Sequence, residues 1–442
     1  MSAAVGTSEN LSHDVIDRGG ITGQQILLIG LCLFFNMLDG FDITAMAVVA
    51  SAVSTELVLT ADKLGWIFSF ALAGMMAGAM FLAPVADIIG RKKLIIISLA
   101  LIGVSIVFTA TATTLTEFIT LRFISGLGAG AMLASQAALA AEYSPTKYKA
   151  LSVCVVTSGY PLGAMMTSVV AAYVMPDYGW RGMFWFGGLL TLAMILVALL
   201  LIPESLKYLF TRRPPGALQR INRILEKLKK PTIEEMPEVL SEQEEQLGFV
   251  EGVLELLSKE QRTKTLTLWA AFLMCFSTLY FLMSWIPKLM EDSGFAASVG
   301  RDAFFLFNLG GVMGIYFMGW LSTKFKLTNL ILYLSLTAAV GMMIFALVPS
   351  ELNLLLLLTF LIGIVQQGGF TGLYGAAAKA YPTGIRTTGI GWSIGLGRFG
   401  AVVGPAAAGY LIATGLDMSA LYFIFAVPMA VGGIIAYRLH IS

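Results

Sequence analysis

The sequence predicts an all-α integral membrane protein of twelve transmembrane helices arranged as two six-helix halves. Three observations carry that prediction. The 442 residues are 57% hydrophobic and only 12% charged, about half the charge of an ordinary soluble domain. The apolar residues gather into runs that are each long enough to cross a bilayer. The chain also repeats itself weakly, at an offset of 236 or 237 residues.

The apolar runs lie at about 26–53, 65–86, 94–113, 117–140, 150–174, 183–202, 266–288, 303–322, 328–348, 352–377, 387–413 and 419–437, with a long polar interruption after the sixth. The stretch before the first run has no basic n-region and no small-residue cleavage site, so that run reads as a retained helix and not as a signal peptide. The repeat aligns Ala83–Gly90 with Gly319–Lys326, Gly126 with Gly363, and Pro145-Thr146 plus Lys149 with Pro382-Thr383 plus Arg386. A parallel repeat of six helices puts a substrate site between the halves, near the membrane midplane. The expected divisions are a tail at 1–25, a bundle at 26–203, a linker at 204–265, a bundle at 266–437 and a tail at 438–442.

Short loops on one side hold Arg91, Lys92, Lys93, Lys147, Lys149, Lys324, Lys326, Lys379 and Arg386, whereas the opposite loops hold Lys63, Arg181, Lys288 and Arg301. The positive-inside rule then places both termini and the linker in the cytoplasm. Within the linker, Leu218, Ile221, Leu225 and Leu228 form one apolar stripe among Arg220, Arg223, Glu226 and Lys227. That pattern, over Ala217 to Lys229, predicts an amphipathic helix lying on the inner membrane face. Glu234 to Glu245 reads as solvated linker, and Phe249 to Leu257 as a second short interfacial helix.

The three cysteines, Cys32, Cys154 and Cys275, fall in different apolar segments and read as small buried hydrophobes rather than disulfide or metal ligands. Both histidines, His13 and His440, lie in the tails, so intramembrane proton chemistry falls to carboxylates. No cofactor, metal or nucleic-acid partner is implied. The expected partners are the lipid bilayer, protons and a small organic anion, with no obligate protein partner.

Four ionisable residues sit deep in the apolar runs: Asp39, Asp42, Arg122 and Arg398. Asp39 and Asp42 share a helix face with Asn36, and each acid at that depth costs roughly 2.5–3.5 kcal/mol on insertion scales. Two carboxylates about 5–6 Å apart cannot both stay ionised cheaply in low dielectric, so the pair is the candidate proton-coupling site. Asp42 and Arg122 fall at similar depth, which makes an ion pair between the first and fourth segments geometrically reasonable; the alternative is that Asp39 pairs with Arg122. Arg398 lies twelve residues after Arg386, about 18 Å into its helix. Its counterpart by the repeat is Pro161, so the charge has no twin in the first half. Its planar fork suits a carboxylate, and it is the candidate substrate anchor; the competing reading is a lasting pair with a helix 1 aspartate. Further candidates for the substrate cavity are Arg122, Gln366, Gln367, Tyr160, Trp285, Tyr374 and Trp392, with Gln136, Tyr280 and Phe370 also available to line it. Adjacent amides within a bilayer helix need partners, which favours Gln366-Gln367.

The second segment ends in Ala83-Pro84-Val85-Ala86-Asp87-Ile88-Ile89-Gly90-Arg91-Lys92-Lys93, where the turn needs the flexibility of Gly90. This spacing resembles the signature loop of the major facilitator superfamily, with Ala83 where the family usually has glycine and Thr323 in place of the acid in the second-half copy. Asp39-Gly40-Phe41-Asp42 further resembles the Asp-Gly-x-Asp signature of the aromatic acid:proton symporter family. Arg122–Gly130, Glu142-Tyr143-Ser144-Pro145, Pro203-Glu204-Ser205, Ser284-Trp285-Ile286-Pro287, Tyr381-Pro382-Thr383, Arg386–Gly389 and Gly397-Arg398-Phe399-Gly400 support it. The resemblance implies a transporter rather than an enzyme, importing an aromatic carboxylate with protons across a bacterial inner membrane by alternating access. It also assigns Asp87, Gly90, Arg91, Glu142 and Arg386 to gating. An exporter on the same scaffold is a rival, but such exporters tend to carry Gly-Pro-x-x-Gly where this chain has Gly159-Tyr160-Pro161-Leu162-Gly163. A non-transporting sensor is a second rival; it is expected to need a signalling tail, and the sequence ends about five residues after the last segment.

Overall fold

In the computed structural model the described residues are 15–17, 20–236, 254–348, 351–382 and 385–439, the side chains of Arg386 and Thr387 excepted. The first half comprises α1 (Gly23–Glu56), α2 (Ala61–Ala77), α3 (Arg91–Thr109), α4 (Leu115–Glu142), α5 (Lys149–Thr157) and α6 (Gly159–Leu201). Short linker helices α7 (Leu206–Arg212) and α8 (Ala217–Lys227) follow. The second half comprises α9 (Arg262–Asp292), α10 (Ala297–Leu321), α11 (Leu327–Leu347), α12 (Leu352–Ala380), α13 (Arg386–Ala413) and α14 (Met418–Tyr437). Polar side chains set several starts. Thr22 and Gln25 form a capping box on α1, Thr114 and Glu117 another on α4, and Asp417 caps α14, each satisfying N–H groups that the first helical turn leaves free.

Among the described residues eleven helical stretches are long and apolar enough to span a membrane, and one of them, Thr146–Leu201, is 56 residues long. Straight, it would reach roughly 84 Å, nearly three hydrocarbon thicknesses. Gly179, at φ 60 and ψ −166, breaks the helical conformation inside α6 in a backbone region open chiefly to glycine. The chain folds back there: Gly163 lies against Met37 of α1 and Gly187 against Phe41 only a turn away. The stretch therefore crosses twice, which completes twelve spans. Where a loop was expected at 175–182, the chain turns with almost no loss of helix.

The halves meet along three seams, α2 with α13, α6 with α10 and α1 with α9. On the face opposite the chain ends, Gly65 lies so close to Pro405 and Ala406, and Gly409 to Ala61, that neither has room for a Cβ, while the Ser69 hydroxyl donates to the Val402 carbonyl at 2.6 Å. Nearer the terminal face the π-helical turn Gly78–Leu82 that continues α2 is in ordinary contact with α13, Met80 lying 3.9 Å from a Cβ position at Gly395. The seam is thus tightest on the face away from the termini.

Helix α8 corrects one expectation. Its apolar stripe does not face lipid, because Ile221 and Leu225 are fully buried and Leu228 nearly so in the protein core. A surface this apolar is buried against neighbouring protein as readily as in a membrane, and periodicity cannot tell which. Asp17 meanwhile accepts hydrogen bonds from the Thr146 amide and hydroxyl, and Lys230 donates to the Gly20 carbonyl at 2.9 Å, so the residues before α1 pack on the same face as the linker. Most of the expected Phe249–Leu257 helix, much of Glu234–Glu245, Thr383 and the Arg386 side chain lie outside the described residues. Cys32 and Cys275 are buried as expected, whereas Cys154 is exposed on the bundle's perimeter.

Candidate functional site

Helix periodicity puts Asn36, Asp39 and Asp42 on one stripe of α1, and the structure buries all three, at 0%, 1% and 1% exposure. Their surroundings differ. Asp42 receives Arg122 Nη1 at 2.5 Å, and Arg122 Nη2 donates to the backbone carbonyls of Asp42 at 2.8 Å and Ile43 at 3.3 Å. This guanidinium is committed within the first half, so the geometry does not support Arg122 as a substrate contact. Asp39, three residues earlier, meets no cation among the described residues. Its Oδ2 accepts one hydrogen bond from Gln136 Nε2 at 3.3 Å, and its Oδ1 has no partner.

Across the seam, Arg398 of α13 is only 5% exposed and forms no ion pair among the described residues; its Nε has no acceptor. The lasting pair with an aspartate is therefore not formed. Its charge acts on the hydroxyls of Tyr160 and Tyr374, and the Tyr160 hydroxyl also feels Tyr280 and Asp39. Tyr160 is thus near both the acid and the cation, and its hydroxyl meets that of Tyr280. Beside Arg398 is an aromatic wall. Phe272, Phe276 and Tyr280 follow one another at four-residue steps on α9, and Phe370 and Tyr374 do so on α12. Ring centroids lie 4.7 Å apart for Phe276–Phe370 and 5.4 Å for Phe272–Tyr374. Gly397, next to Arg398, is pressed against Phe272 and Phe276, which fixes the arginine at the edge of the wall.

Other expected members are elsewhere. Trp285 lies in the tight seam, donating from Nε1 to the Pro405 carbonyl at 3.1 Å and set edge-on to Phe68 at 5.3 Å. Its place in the central cavity is corrected accordingly: five residues beyond Tyr280, it closes the site's far side. Trp392 packs at a tilt against Trp269, ring centroids 6.2 Å apart, toward the terminal face. Gln367 is pressed on Gly311 of α10, and Gln366 is fully buried with both amide atoms unpartnered. Phe272 and Phe276 were not singled out from the sequence, although their spacing with Tyr280 was a usable signal.

At the terminal face Gly90 adopts φ 100, as the turn requires. Arg91 Nε meets Glu142 at 3.1 Å, and the Ser205 hydroxyl donates to the same carboxylate at 2.6 Å. Glu204 accepts the amides of Lys92 at 3.0 Å and Ser205 at 2.9 Å, placing a carboxylate at the start of α3, where the helix dipole favours one. Asp87 itself is exposed, and it is its carbonyl, not its carboxylate, that accepts from Arg212 at 3.0 Å. Pro203-Glu204-Ser205 thus ties the linker to the signature loop, a role its sequence did not disclose.

Twelve spans in two halves that close on unpaired buried charges define a membrane carrier. The family model described as Major Facilitator Superfamily matches residues 30–350 and 268–440. A 4-hydroxybenzoate transporter of Pseudomonas aeruginosa is 32% identical over 418 residues, 94% of this chain and 92% of its own. A gallate transporter of Pseudomonas putida is 29% identical, again over 94% and 92%. Among solved structures, a partially occluded inward open xylose transporter XylE from E. coli superposes with a TM-score of 0.73 at 13% identity, covering 95% of this chain and all of that one. The chain belongs to the major facilitator superfamily and, within it, to the aromatic acid:proton symporter family.

Proposed function

We propose that this transporter imports an aromatic carboxylate together with protons by alternating access, in a bacterial inner membrane with both termini cytoplasmic. The observation that carries the reading is Asp39, a carboxylate buried in a membrane span with no cation beside it among the described residues. An ion held there without a counter-charge is strongly disfavoured, and a proton relieves that penalty reversibly. Arg398 is the matching opposite case, an unpaired cation suited to a carboxylate, and the aromatic wall beside it offers faces and edges to a ring. The relatives named for aromatic acids support the cargo class.

In the mechanism, the protonated carrier open to the outside takes the anion at Arg398 against Phe276, Phe370 and Tyr374. The α2–α13 seam closes around Trp285, the terminal face opens, and loss of the proton to the cytosol releases the acid. The two bundles, 26–203 and 266–437, are the bodies that rock, and Arg91–Glu142 with Ser205 latches the inner face of the first. Each net positive charge carried inward across 100 mV gains about 2.3 kcal/mol, so an excess of protons over anion charge draws on the membrane potential. The test is uptake of labelled 4-hydroxybenzoate and related acids into cells producing the chain. Asp39→Asn is expected to abolish accumulation while the protein stays in the membrane; undiminished accumulation by that variant removes Asp39 from proton coupling.

A further inference from the structure

We propose that Asn36 is a positioning residue: it holds open the break between α5 and α6 and so sets the Tyr160 hydroxyl beside Tyr280, near Asp39 and Arg398. The inference rests on the transport reading above. The break is visible in the backbone ladder. Around it, Ser158 N–H donates to the Cys154 carbonyl at 3.0 Å and Leu162 N–H to the Ser158 carbonyl at 3.3 Å. Pro161 has no N–H to return to the Thr157 carbonyl. A carbonyl left open within hydrocarbon is costly, and breaks persist there only where a side chain or water takes it up. One residue before that open carbonyl, Asn36 Nδ2 donates to the Val156 carbonyl at 2.8 Å, wholly buried and from 120 positions earlier in the chain.

The next residues of the break rest on the same face of α1. A Cβ at Gly159 would meet the Leu33 carbonyl and the Asn36 side chain, and a Cβ at Gly40 would run into the Tyr160 carbonyl. Tyr160 is therefore clamped by its backbone between Asn36 and Gly40, one turn apart. Its hydroxyl meets that of Tyr280 and lies in the fields of Asp39 and Arg398. The break is also where the second half touches the first, since the Tyr316 hydroxyl of α10 lies 3.4 Å from Ser158 Oγ. Among the described residues Asn36 forms no hydrogen bond to Arg398 or to the aromatic wall, and it acts through Tyr160.

A double-mutant cycle tests this with labelled 4-hydroxybenzoate uptake by the full-length protein, membrane abundance being measured alongside. Tyr160→Phe removes only the hydroxyl; Asn36→Leu keeps the volume and removes the donor. Each is expected to raise KM about five- to tenfold, the size of one neutral hydrogen bond. The double variant is expected to be no worse than either single one, because both act through one hydroxyl. Effects that multiply, or an unchanged KM in Asn36→Leu, overturn the proposal. Asn36→Ser, which keeps a shorter donor, serves in the same cycle with an intermediate KM expected if the leucine variant fails to reach the membrane, and additivity there overturns it equally. A wild-type protein that takes up no aromatic acid overturns the transport reading itself, whereas normal wild-type uptake with multiplying effects removes only the role of Asn36.

Discussion

Neutralising Asp42 and neutralising Asp39 should have opposite consequences, although the two acids are three residues apart and equally buried. Asp42→Asn leaves the Arg122 guanidinium inside the bundle without its counter-charge, both side chains being 1% exposed. Removing one partner of a buried pair destabilises by about 3–5 kcal/mol. Arg122 keeps its bonds to the carbonyls of Asp42 and Ile43, which puts the expectation at the low end, about 3 kcal/mol. Asp39→Asn removes a charge that has no cation to lose and retains a group able to meet Gln136, so stability is expected to hold or rise. The assay is unfolding of the purified protein in detergent, with uptake measured on the same variants. The asparagine at 39 should yield a stable protein without energised transport, and the asparagine at 42 an unstable one. Replacing Asp42 and Arg122 together by neutral residues should recover much of the stability lost by Asp42→Asn. Equal destabilisation by the two single variants would refute the assignment of distinct roles.

Gly40→Ala drives a methyl group into the Tyr160 carbonyl and should greatly reduce folded protein in the membrane, whereas Gly30→Ala, with open space around it, should leave abundance unchanged. Trp285→Phe loses the bond to Pro405, worth about 0.5–1.5 kcal/mol, and should loosen the outer seam; faster labelling from outside of a cysteine introduced at Ala406, in a background lacking the native cysteines, would register it. Arg398→Lys keeps the charge but loses the fork, and KM for the acid should rise at least tenfold, an unchanged KM removing Arg398 from the site. Accumulation should collapse when a protonophore discharges the gradient, and in vesicles protons should enter with added substrate.

Much of this was legible before any coordinates. Span positions follow from hydrocarbon thickness, and the prospect of an ion pair between Arg122 and a helix 1 acid from depth counted along two helices. Gly90 needed its left-handed backbone in any structure with that loop. Less legible were matters of facing. Gln366 and Gln367 look equivalent in sequence, yet they point about 100° apart on α12 and only one meets Gly311. The stripe of α8 has the same period whether it lies on lipid or on protein, and Trp285 is a few residues from Tyr280 yet belongs to the seam rather than to the cavity.

By itself, the sequence determined that the chain lives in a bilayer, crosses it twelve times, and hides four charges that hydrocarbon does not tolerate without a use. Those conclusions need only local composition, helical period and the energy of a charge at depth. Tertiary structure alone decided which acid was answered and which was left alone. Asp39 and Asp42 are chemically identical and share a stripe, and what separates them is the neighbour each meets on α4: a guanidinium for one, an amide for the other. Such a distinction comes from the crossing of helices some 80 to 100 residues apart in the chain.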